Sequence, residues 1–246
     1  MASKVSIAFK DLIVQKLAKA FEQEDEIQKA AEWIAESLRK GGWIFISGTG
    51  HSHILAEEIF YRAGGFARVN PILDPALMLH ESASKSTEIE RIEGYAEKIM
   101  KGYKLTENDI FIIASNSGRN AVSIELALHA RSKGAKTICI TNLDHSQSVI
   151  SRHSSNKKLF EVVDLFLENC GEIGDAAISI PGLTAKVGAT STIVGATILH
   201  GIMVQAAAIL VEKGIQPEVF NSSNSDEGEV ENDALISKYK LLVKIL

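Results

Sequence analysis

A glycine-containing loop with three hydroxyl side chains is the first stretch of this sequence that could do chemistry. It reads SGTGHS from residue 47 to residue 52, follows the apolar run IFI and precedes a predicted helix. Backbone amides and hydroxyls at the start of a helix are suited to binding a single phosphate group. The candidate contacts of this first loop are its glycines, two hydroxyls and a histidine: Gly48, Thr49, Gly50, His51 and Ser52.

Larger nucleotide ligands are disfavoured by features that the first loop lacks. A dinucleotide fingerprint requires a third glycine where His53 stands, and an acidic residue about 20 positions later, where the sequence reads Arg68-Val69-Asn70. A triphosphate-binding loop requires Gly-Lys-Ser or Gly-Lys-Thr, and neither follows here. A phosphate monoester is the ligand that remains.

A second loop of similar design follows another apolar run, IFIIA, and precedes another predicted helix. It reads SNSGRN, in which Arg119 could add positive charge, and its candidate contacts are Ser115, Asn116, Ser117, Gly118 and Asn120. Taken alone, either loop is equally consistent with a simple helix cap. As a pair on neighbouring strands, the two loops could bind one small phosphorylated molecule from both ends.

The alternation of apolar strands and helices predicts how these loops are positioned. The predicted strands are continuous apolar runs, which indicate burial on both faces, and they cover residues 43–47, 68–73, 109–114, 136–141 and 160–167. Predicted helices cover residues 3–40, 52–63, 88–100 and 121–133. We therefore predict an α/β fold with a parallel sheet covered by helices, whose ligands bind at the carboxyl ends of the strands.

Length, charge and cysteine content narrow the class of protein. The 246 residues are enough for one α/β domain with a helical extension. The net charge of −5, without a long run of Lys or Arg, argues against a nucleic-acid partner. Two distant cysteines, Cys139 and Cys170, match no metal-binding spacing, and no signal peptide is visible, so a reducing, cytoplasmic compartment is expected.

Two segments near the C-terminus have unusual composition. Residues 187–211 contain no charged side chain and are long enough to span a bilayer. They include Thr, Ser, His and Gln and no aromatic belt, so we favour a helix buried in the core or in a subunit interface, and expect no membrane partner. The acidic, serine-rich stretch NSSNSDEGEVEND that follows is interpreted as a flexible or irregular arm.

The two loops with their flanking sequence resemble the sugar isomerase, or SIS, domain. The similar segments are IFISGTGHSH and IFIIASNSGRNAVSIELALHARSKGAKTICIT. The family hallmark is a loop, Ser-x-Ser-Gly-x-Thr/Ser, that binds the phosphate of a phosphosugar. Ser115, Ser117 and Gly118 match it, and Asn120 replaces the usual hydroxyl. The segments AEEIFYRAGG, ERIEGYAE and GATSTIVGATIL are most similar to those of stand-alone bacterial SIS proteins that are often labelled phosphoheptose isomerases.

This resemblance implies a fold, a division into domains and an assembly. The fold is a three-layer sandwich with a five-stranded parallel sheet of flavodoxin-like or Rossmann-like type, plus N-terminal helices. The division is a helical extension at 1–41, a phosphosugar-binding domain at 42–214 and a C-terminal arm at 215–246. The assembly is a homodimer, or a tetramer built as a dimer of dimers, with sites near the subunit interface.

Aldose–ketose isomerisation is the activity that the resemblance favours. The reaction moves a proton between adjacent carbons through an enediol, and it needs a base beside the sugar, often assisted by a histidine. Phosphoheptose isomerases carry a catalytic glutamate on the helix after the first loop and a catalytic histidine on a later helix. By element, Glu58 and His200 are the matching candidates. Taken alone, each could instead be structural, Glu58 as a solvated carboxylate and His200 as a core histidine.

Two other functions stay open at this point. The polar segment with Glu81 and Glu90 resembles the one where N-acetylmuramic acid 6-phosphate etherase places a second acid, so a lyase is one alternative and Glu81 joins the candidate substrate contacts. SIS modules also serve as non-catalytic phosphosugar sensors. The first forty residues contain no evident basic recognition helix, which disfavours a sensor that acts on DNA.

A group of histidines and one glutamate raises the question of a metal. His53 and Glu57 are four residues apart and would share one face of a helix, and His51 and His80 are further possible ligands. Zinc requires a third ligand and a defined geometry, and this set shows no strong spacing. We therefore predict no metal and no other cofactor, and assign His51 and His53 to the lining of a sugar pocket.

Overall fold

Five apolar runs form one parallel sheet in the computed structural model, which describes residues 4–224 and 226–246. The strands lie in the order β2-β1-β3-β4-β5, and their bounds are β1 Ile44–Gly48, β2 Val69–Ile72, β3 Ile110–Ala114, β4 Lys136–Thr141 and β5 Leu165–Glu168. Central strands β1 and β3 are buried along their whole length, as their apolar composition predicts. The predicted α/β fold with a five-stranded parallel sheet is confirmed.

Helices cover both faces of this sheet. In chain order they are α1 Val5–Ala20, α2 Glu24–Arg39, α3 Ile54–Glu58, α4 Leu79–Ile89, α5 Tyr95–Met100, α6 Ala121–Ser132, α7 Leu143–Ser148, α8 Leu159–Val162, α9 Ser191–Glu212 and α10 Asp226–Tyr239. One core joins α2, α3 and α9 to the sheet through side chains such as Ile34, Ile46 and Ile198. The other joins α5, α6 and α8 to the opposite face, around Phe111 and Leu126.

The predicted domain division is not tested by this arrangement and stays a prediction. Helices α1 and α2, which belong to the predicted extension at 1–41, contribute Ala20 and Ile34 to the same core as the sheet. The break between these helices lies at residues 21–23. The N-terminal helices therefore complete one layer of the sandwich, and Ser3, where the predicted helix begins, lies outside the described residues.

Several predicted elements differ from the observed ones because of left-handed backbone or local packing. The helix predicted at 52–63 ends at Glu58, and Tyr61 follows with a φ of 43°. The helix predicted at 88–100 is interrupted by Gly94, whose φ of 80° separates α4 from α5. The strand predicted at 160–167 is divided between α8 and β5.

The uncharged segment at 187–211 begins as a short strand and continues as a helix. Strand β7 (Val187–Ala189) pairs antiparallel with β6 (Ala176–Ile178), and α9 starts after it. Among the described residues, α9 is the helix that is long and apolar enough to cross a membrane by length and composition, and half of its most apolar window is buried. Burial against α2 and the sheet supplies another reason for its composition.

The C-terminal arm is more regular than the sequence suggested. The interpretation of NSSNSDEGEVEND as irregular is wrong for its second half, where α10 begins at Asp226, while residue 225 lies outside the described residues. Asn232 and Tyr239 are buried. Tyr239 forms a small core with Ala67 and Phe220, and Leu235 and Ile236 pack against this core. The apolar residues of α10 that show a helical spacing, Leu235, Ile236 and Tyr239, all follow the acidic stretch in the sequence.

Candidate functional site

The two glycine-containing loops meet at the point where the order of the sheet reverses. Strand β1 is followed by β2 on one side and, later, by β3 on the other. Such switch points, at the carboxyl ends of parallel strands, are where ligands bind in open α/β sheets. Gly48, the last residue of β1, pairs in register with Ala114, the last residue of β3. Both loops therefore begin at the same edge of the sheet, side by side.

A narrow cleft lies between these loops and the start of α9. It is lined by Ser52 of the first loop, Ser115 and Asn116 of the second, and Ser191 and Thr192 of α9. Its cavity volume is about 10 Å³, roughly enough for one water molecule, whereas ligand pockets usually measure roughly 300–1,000 Å³. The cleft therefore has no room for a sugar, which would have to lie at its mouth.

Glycine is required at the turn of the first loop. A Cβ atom on Gly48 would lie 2.3 Å from the carbonyl oxygen of Ser52, and Gly50 adopts a φ of 56°. This tight turn places Thr49 next to Glu90, and its hydroxyl donates to Glu90 Oε2 at 2.5 Å. The first loop is thereby tied to the segment between α4 and α5.

Hydrogen bonds from neighbouring strands fix the second loop. The side-chain oxygen of Asn116 accepts from Asn169 Nδ2 at 2.9 Å, and its backbone oxygen accepts from the amide of Asn142 at 3.1 Å. Gly118 has a φ of 56°, and its amide donates to Ser115 Oγ at 3.2 Å. Within the described residues the amide of Ser117 has no acceptor, so a donor remains for an anion.

Arg152 contacts the second loop, although it was not among the residues predicted from the sequence to form the site. Arg152 Nη1 donates to Asn120 Oδ1 at 2.9 Å, and the Arg152 amide donates to the carbonyl oxygen of Arg119 at 2.8 Å. Partial desolvation of its guanidinium lowers the pKa of Arg152, and the positive charges of Arg119 and Arg91 lower it further, whereas Glu90 raises it. The second loop therefore lies among several positive charges, and no motif in the segment around residue 152 signals this.

Glu58 and His200, the two residues predicted to be catalytic, are in direct contact. His200 Nε2 lies 2.9 Å from Glu58 Oε1, and their side chains are 42% and 34% exposed. Arg62, one turn further along the chain, also contacts Glu58 Oε1. His200 is eight positions after Thr192, which lies at the cleft, and this corresponds to about 12 Å along the axis of α9.

Comparison with known proteins identifies the family. The family model of the SIS domain matches residues 8–142. The chain belongs to the SIS-domain family. Two curated relatives are UPF0309 proteins: one from Halalkalibacterium halodurans is 44% identical over 217 residues, covering 88% of this chain and 90% of the relative. The other, from Listeria monocytogenes, is 40% identical over 237 residues and covers 96% of each chain.

A solved relative of this SIS protein shares its fold at low sequence identity. The structure of a phosphoheptose isomerase from Francisella tularensis aligns with a TM-score of 0.54 and 13% identity, covering 84% of this chain and 98% of the other. This likeness, with the family match, confirms the resemblance to the SIS domain. At this identity the comparison establishes the shared fold.

Three of the eleven predicted substrate contacts of the SIS protein, Ser52, Ser115 and Asn116, line the cleft, and the other eight do not. Glu81 borders a separate hollow with Pro75, Ala76, Ser82 and Lys85. His51, in the first loop, is exposed. Substrate contact by either residue remains a prediction, and the structure brings neither into the lining of the cleft.

The histidines considered as metal ligands are spread around the first loop. His53 is buried, its Nε2 lies 3.6 Å from Glu57 Oε1, and its ring centroid lies 6.1 Å from that of His80.

A three-ligand group among the described residues is found elsewhere, at Glu93, Glu125 and His153, whose ligand atoms lie within 4.8 Å of one another. Both carboxylates there already accept hydrogen bonds from backbone amides, Glu93 from Ser154 and Glu125 from Gly94.

Asp175 holds the start of α9 at the cleft. One of its oxygens accepts from the amides of Thr190 and Ser191 at 2.9 and 2.8 Å, and the other accepts from the Ser191 hydroxyl at 2.7 Å. Burial alone would raise the pKa of Asp175, but these hydrogen bonds outweigh it and lower the pKa below its ordinary value. A carboxylate with a lowered folded-state pKa stabilises the fold above its ordinary pKa, and this contribution is lost as the pH falls through the lowered value.

Replacing Asp175 by Asn is expected to lower the free energy of unfolding at pH 7 by about 1–3 kcal/mol, because buried donors lose a charged acceptor. Urea titrations at pH 7 and at acidic pH measure this difference, which should shrink as the pH falls below about 4. Asp233→Asn, at an exposed position on α10, is the control and should change stability little. A difference between wild type and Asp175→Asn that is the same at both pH values contradicts the assignment.

Proposed function

We propose that this SIS protein binds a phosphorylated sugar at the cleft and interconverts its aldose and ketose forms. The observation that carries the proposal is the contact between Glu58 and His200, a carboxylate and an imidazole on the two helices that border the cleft. The serine-rich second loop and the first loop would hold the phosphate. Membership of the SIS-domain family and a fold shared with a solved phosphoheptose isomerase support this assignment.

The placement of the pair suits the geometry of such a substrate. The reacting carbons of an aldose or ketose phosphate lie at the end of the sugar opposite the phosphate, and the pair lies away from the phosphate loops along α9. Side chains of a helix lean towards its N-terminus, and the N-terminus of α9 is the end that lies at the cleft. A sugar extending from the loops along α9 would bring its carbonyl end towards the pair.

In the proposed reaction, Glu58 removes the proton from the carbon beside the carbonyl group. The electron pair moves to form an enediol, and His200 gives a proton to the carbonyl oxygen and takes one from the neighbouring hydroxyl. Glu58 then returns its proton to the adjacent carbon. Arg62, which contacts the same carboxylate, places a positive charge beside the base and restricts its orientation.

Proton exchange with solvent is the experiment that tests this function. The protein is incubated with pentose, hexose, heptose and amino-sugar phosphates in deuterated water, and the sugar protons are followed by NMR. We expect deuterium to enter at the carbon beside the carbonyl group of at least one substrate. Release of lactate from a lactyl ether would instead identify a lyase, and saturable binding without either change would identify a sensor.

We also propose that the protein is a cytoplasmic homodimer, or a tetramer of two such dimers, without a nucleic-acid or membrane partner. A stripe on α9 supports this assembly: Ile193, Val204 and Val211 are 41%, 70% and 55% exposed. His200 lies on the same stripe, since positions three to four residues apart share a face. Pairing of this stripe between two copies would bury the exposed apolar residues and enclose the Glu58–His200 pair.

Val204→Glu is expected to convert the dimer to a monomer at micromolar concentration, because it places a charge in the apolar stripe. Sedimentation velocity measures the change. Val230→Glu is a matched control, because Val230 is 72% exposed on α10 outside the stripe, and this variant should stay dimeric. A dimer that survives Val204→Glu unchanged would place the subunit interface elsewhere.

A further inference from the structure

We infer that the guanidinium of Arg152 replaces the hydroxyl missing from the second loop and binds the phosphate directly. The inference rests on the proposed function, since it concerns the same phosphate. The SIS hallmark has Thr or Ser at the position of Asn120, where a hydroxyl could donate to the phosphate. Here the side-chain oxygen of Asn120 accepts a hydrogen bond from Arg152, so this position presents a guanidinium in place of a hydroxyl.

The backbone fixes Arg152 at the loop. Its amide donates to the carbonyl oxygen of Arg119, and the amide of Leu159 donates to the carbonyl oxygen of Gly118, each at 2.8 Å. The segment from residue 152 to residue 159 is thus hydrogen-bonded at both ends to consecutive residues of the phosphate loop. The position of Arg152 depends on the main chain, in addition to the contact of its side chain with Asn120.

Arg152 also retains the donors that a phosphate requires. A guanidinium has five N–H groups, and the contact with Asn120 Oδ1 uses a single nitrogen, Nη1. The side chain is exposed, so its remaining donors can reach a ligand. Planar guanidinium groups bind phosphate oxygens in pairs, which gives direction as well as charge.

The charges that act on Arg152 favour the binding of an anion. Arg91 and Arg119 act on its guanidinium as positive charges and Glu90 acts as a negative charge, so positive charges outnumber negative ones in this group. A phosphate monoester carries up to two negative charges above its second pKa of about 6. In addition, the buried Nε of Arg119 has no hydrogen-bond partner among the described residues, so the cluster still lacks an acceptor.

Calorimetric titrations with inorganic phosphate and with the phosphosugar found in the exchange experiment test this role. Arg152→Gln should weaken the binding of either ligand by about ten- to a hundredfold, the loss expected for charge-assisted hydrogen bonds. Arg152→Lys should lie between wild type and Arg152→Gln, because it keeps the charge and loses the paired donors. Lys157→Gln is the matched control: it removes one exposed positive charge from the same segment and should change the affinity less than twofold.

A second variant distinguishes two roles of Arg152: taking the place of the missing hydroxyl, or attracting the phosphate by its charge alone. Asn120→Ser introduced into the Arg152→Gln protein restores the family hydroxyl and should recover at least part of the lost affinity. Thermal unfolding of each variant shows whether the fold is intact. If wild type binds phosphosugar and Arg152→Gln binds it equally well, the inference is wrong while the proposed function stands. If wild type binds neither phosphate nor any phosphosugar, both are wrong.

Discussion

Glu58→Gln is expected to slow solvent exchange of the sugar proton by about 10²- to 10⁴-fold, the usual contribution of a positioned general base. The amide keeps the size of the carboxylate and can still contact His200, so substrate affinity should change little. Exchange measured by NMR at saturating substrate gives the rate, and a titration gives the affinity. His200→Gln should reduce the rate as well, and the double variant should lose less than the product of the two effects, because the residues act together.

Glu57 supplies the control for this experiment. It precedes Glu58 on the same short helix, is half exposed and lies nearest to His53. Glu57→Gln therefore removes a neighbouring negative charge without touching the Glu58–His200 contact, and should exchange at nearly the wild-type rate. Equal rates for wild type and Glu58→Gln would exclude Glu58 as the base and would direct attention to Glu90, which contacts the first loop.

Ser117→Glu should abolish detectable binding of phosphosugars, a loss of more than about a hundredfold. The new carboxylate would occupy the centre of the second loop, where it repels a phosphate dianion and occupies its volume. The fold should survive, because Ser117 is only half-buried and its hydroxyl has no hydrogen-bond partner in the part of the chain that the structure describes. Calorimetric titration and a thermal unfolding curve measure the two properties separately.

Ser132→Glu adds the same charge at an exposed position at the far end of α6 and serves as the control. Its affinity should remain within about twofold of wild type, since exposed charges more than a Debye length apart are largely screened. If Ser117→Glu binds a phosphosugar as tightly as this control does, the phosphate lies elsewhere, and the proposed role of both loops is wrong.

Local sequence was sufficient to predict the parts of the site that are local in the chain. The strand, turn and helix around Gly48, and again around Gly118, are each encoded within about fifteen residues, because the apolar run, the glycine and the helix follow one another. The register of a parallel sheet then places the two turns side by side. The first four strands were predictable for the same reason, with ends that differ by at most one residue, whereas the first part of the strand predicted at 160–167 forms α8.

Contacts between distant segments could not be predicted in this way. The 142 positions between Glu58 and His200 are bridged by the packing of α3 on α9, which no local pattern encodes. Arg152 lies in a polar segment without periodicity, and its meeting with Asn120 depends on how that segment crosses the second loop. The polar composition of the C-terminal arm predicted an irregular segment, but the burial of Tyr239 against Phe220 and Ala67 stabilises the helix α10.

The packing of α2 on α9 has a consequence for the synthesis of the protein. These helices belong to one hydrophobic layer, yet α2 ends at Arg39 and α9 begins at Ser191. At a translation rate of about 5–20 residues per second, the ribosome needs roughly 8–30 seconds to make the intervening chain. During that time the apolar face of α2, with Ile27 and Ile34, lacks its final partner. Until the last quarter of the polypeptide emerges, this face can pack only on the strands of the sheet that have already been made, such as those with Ile46 and Ile110.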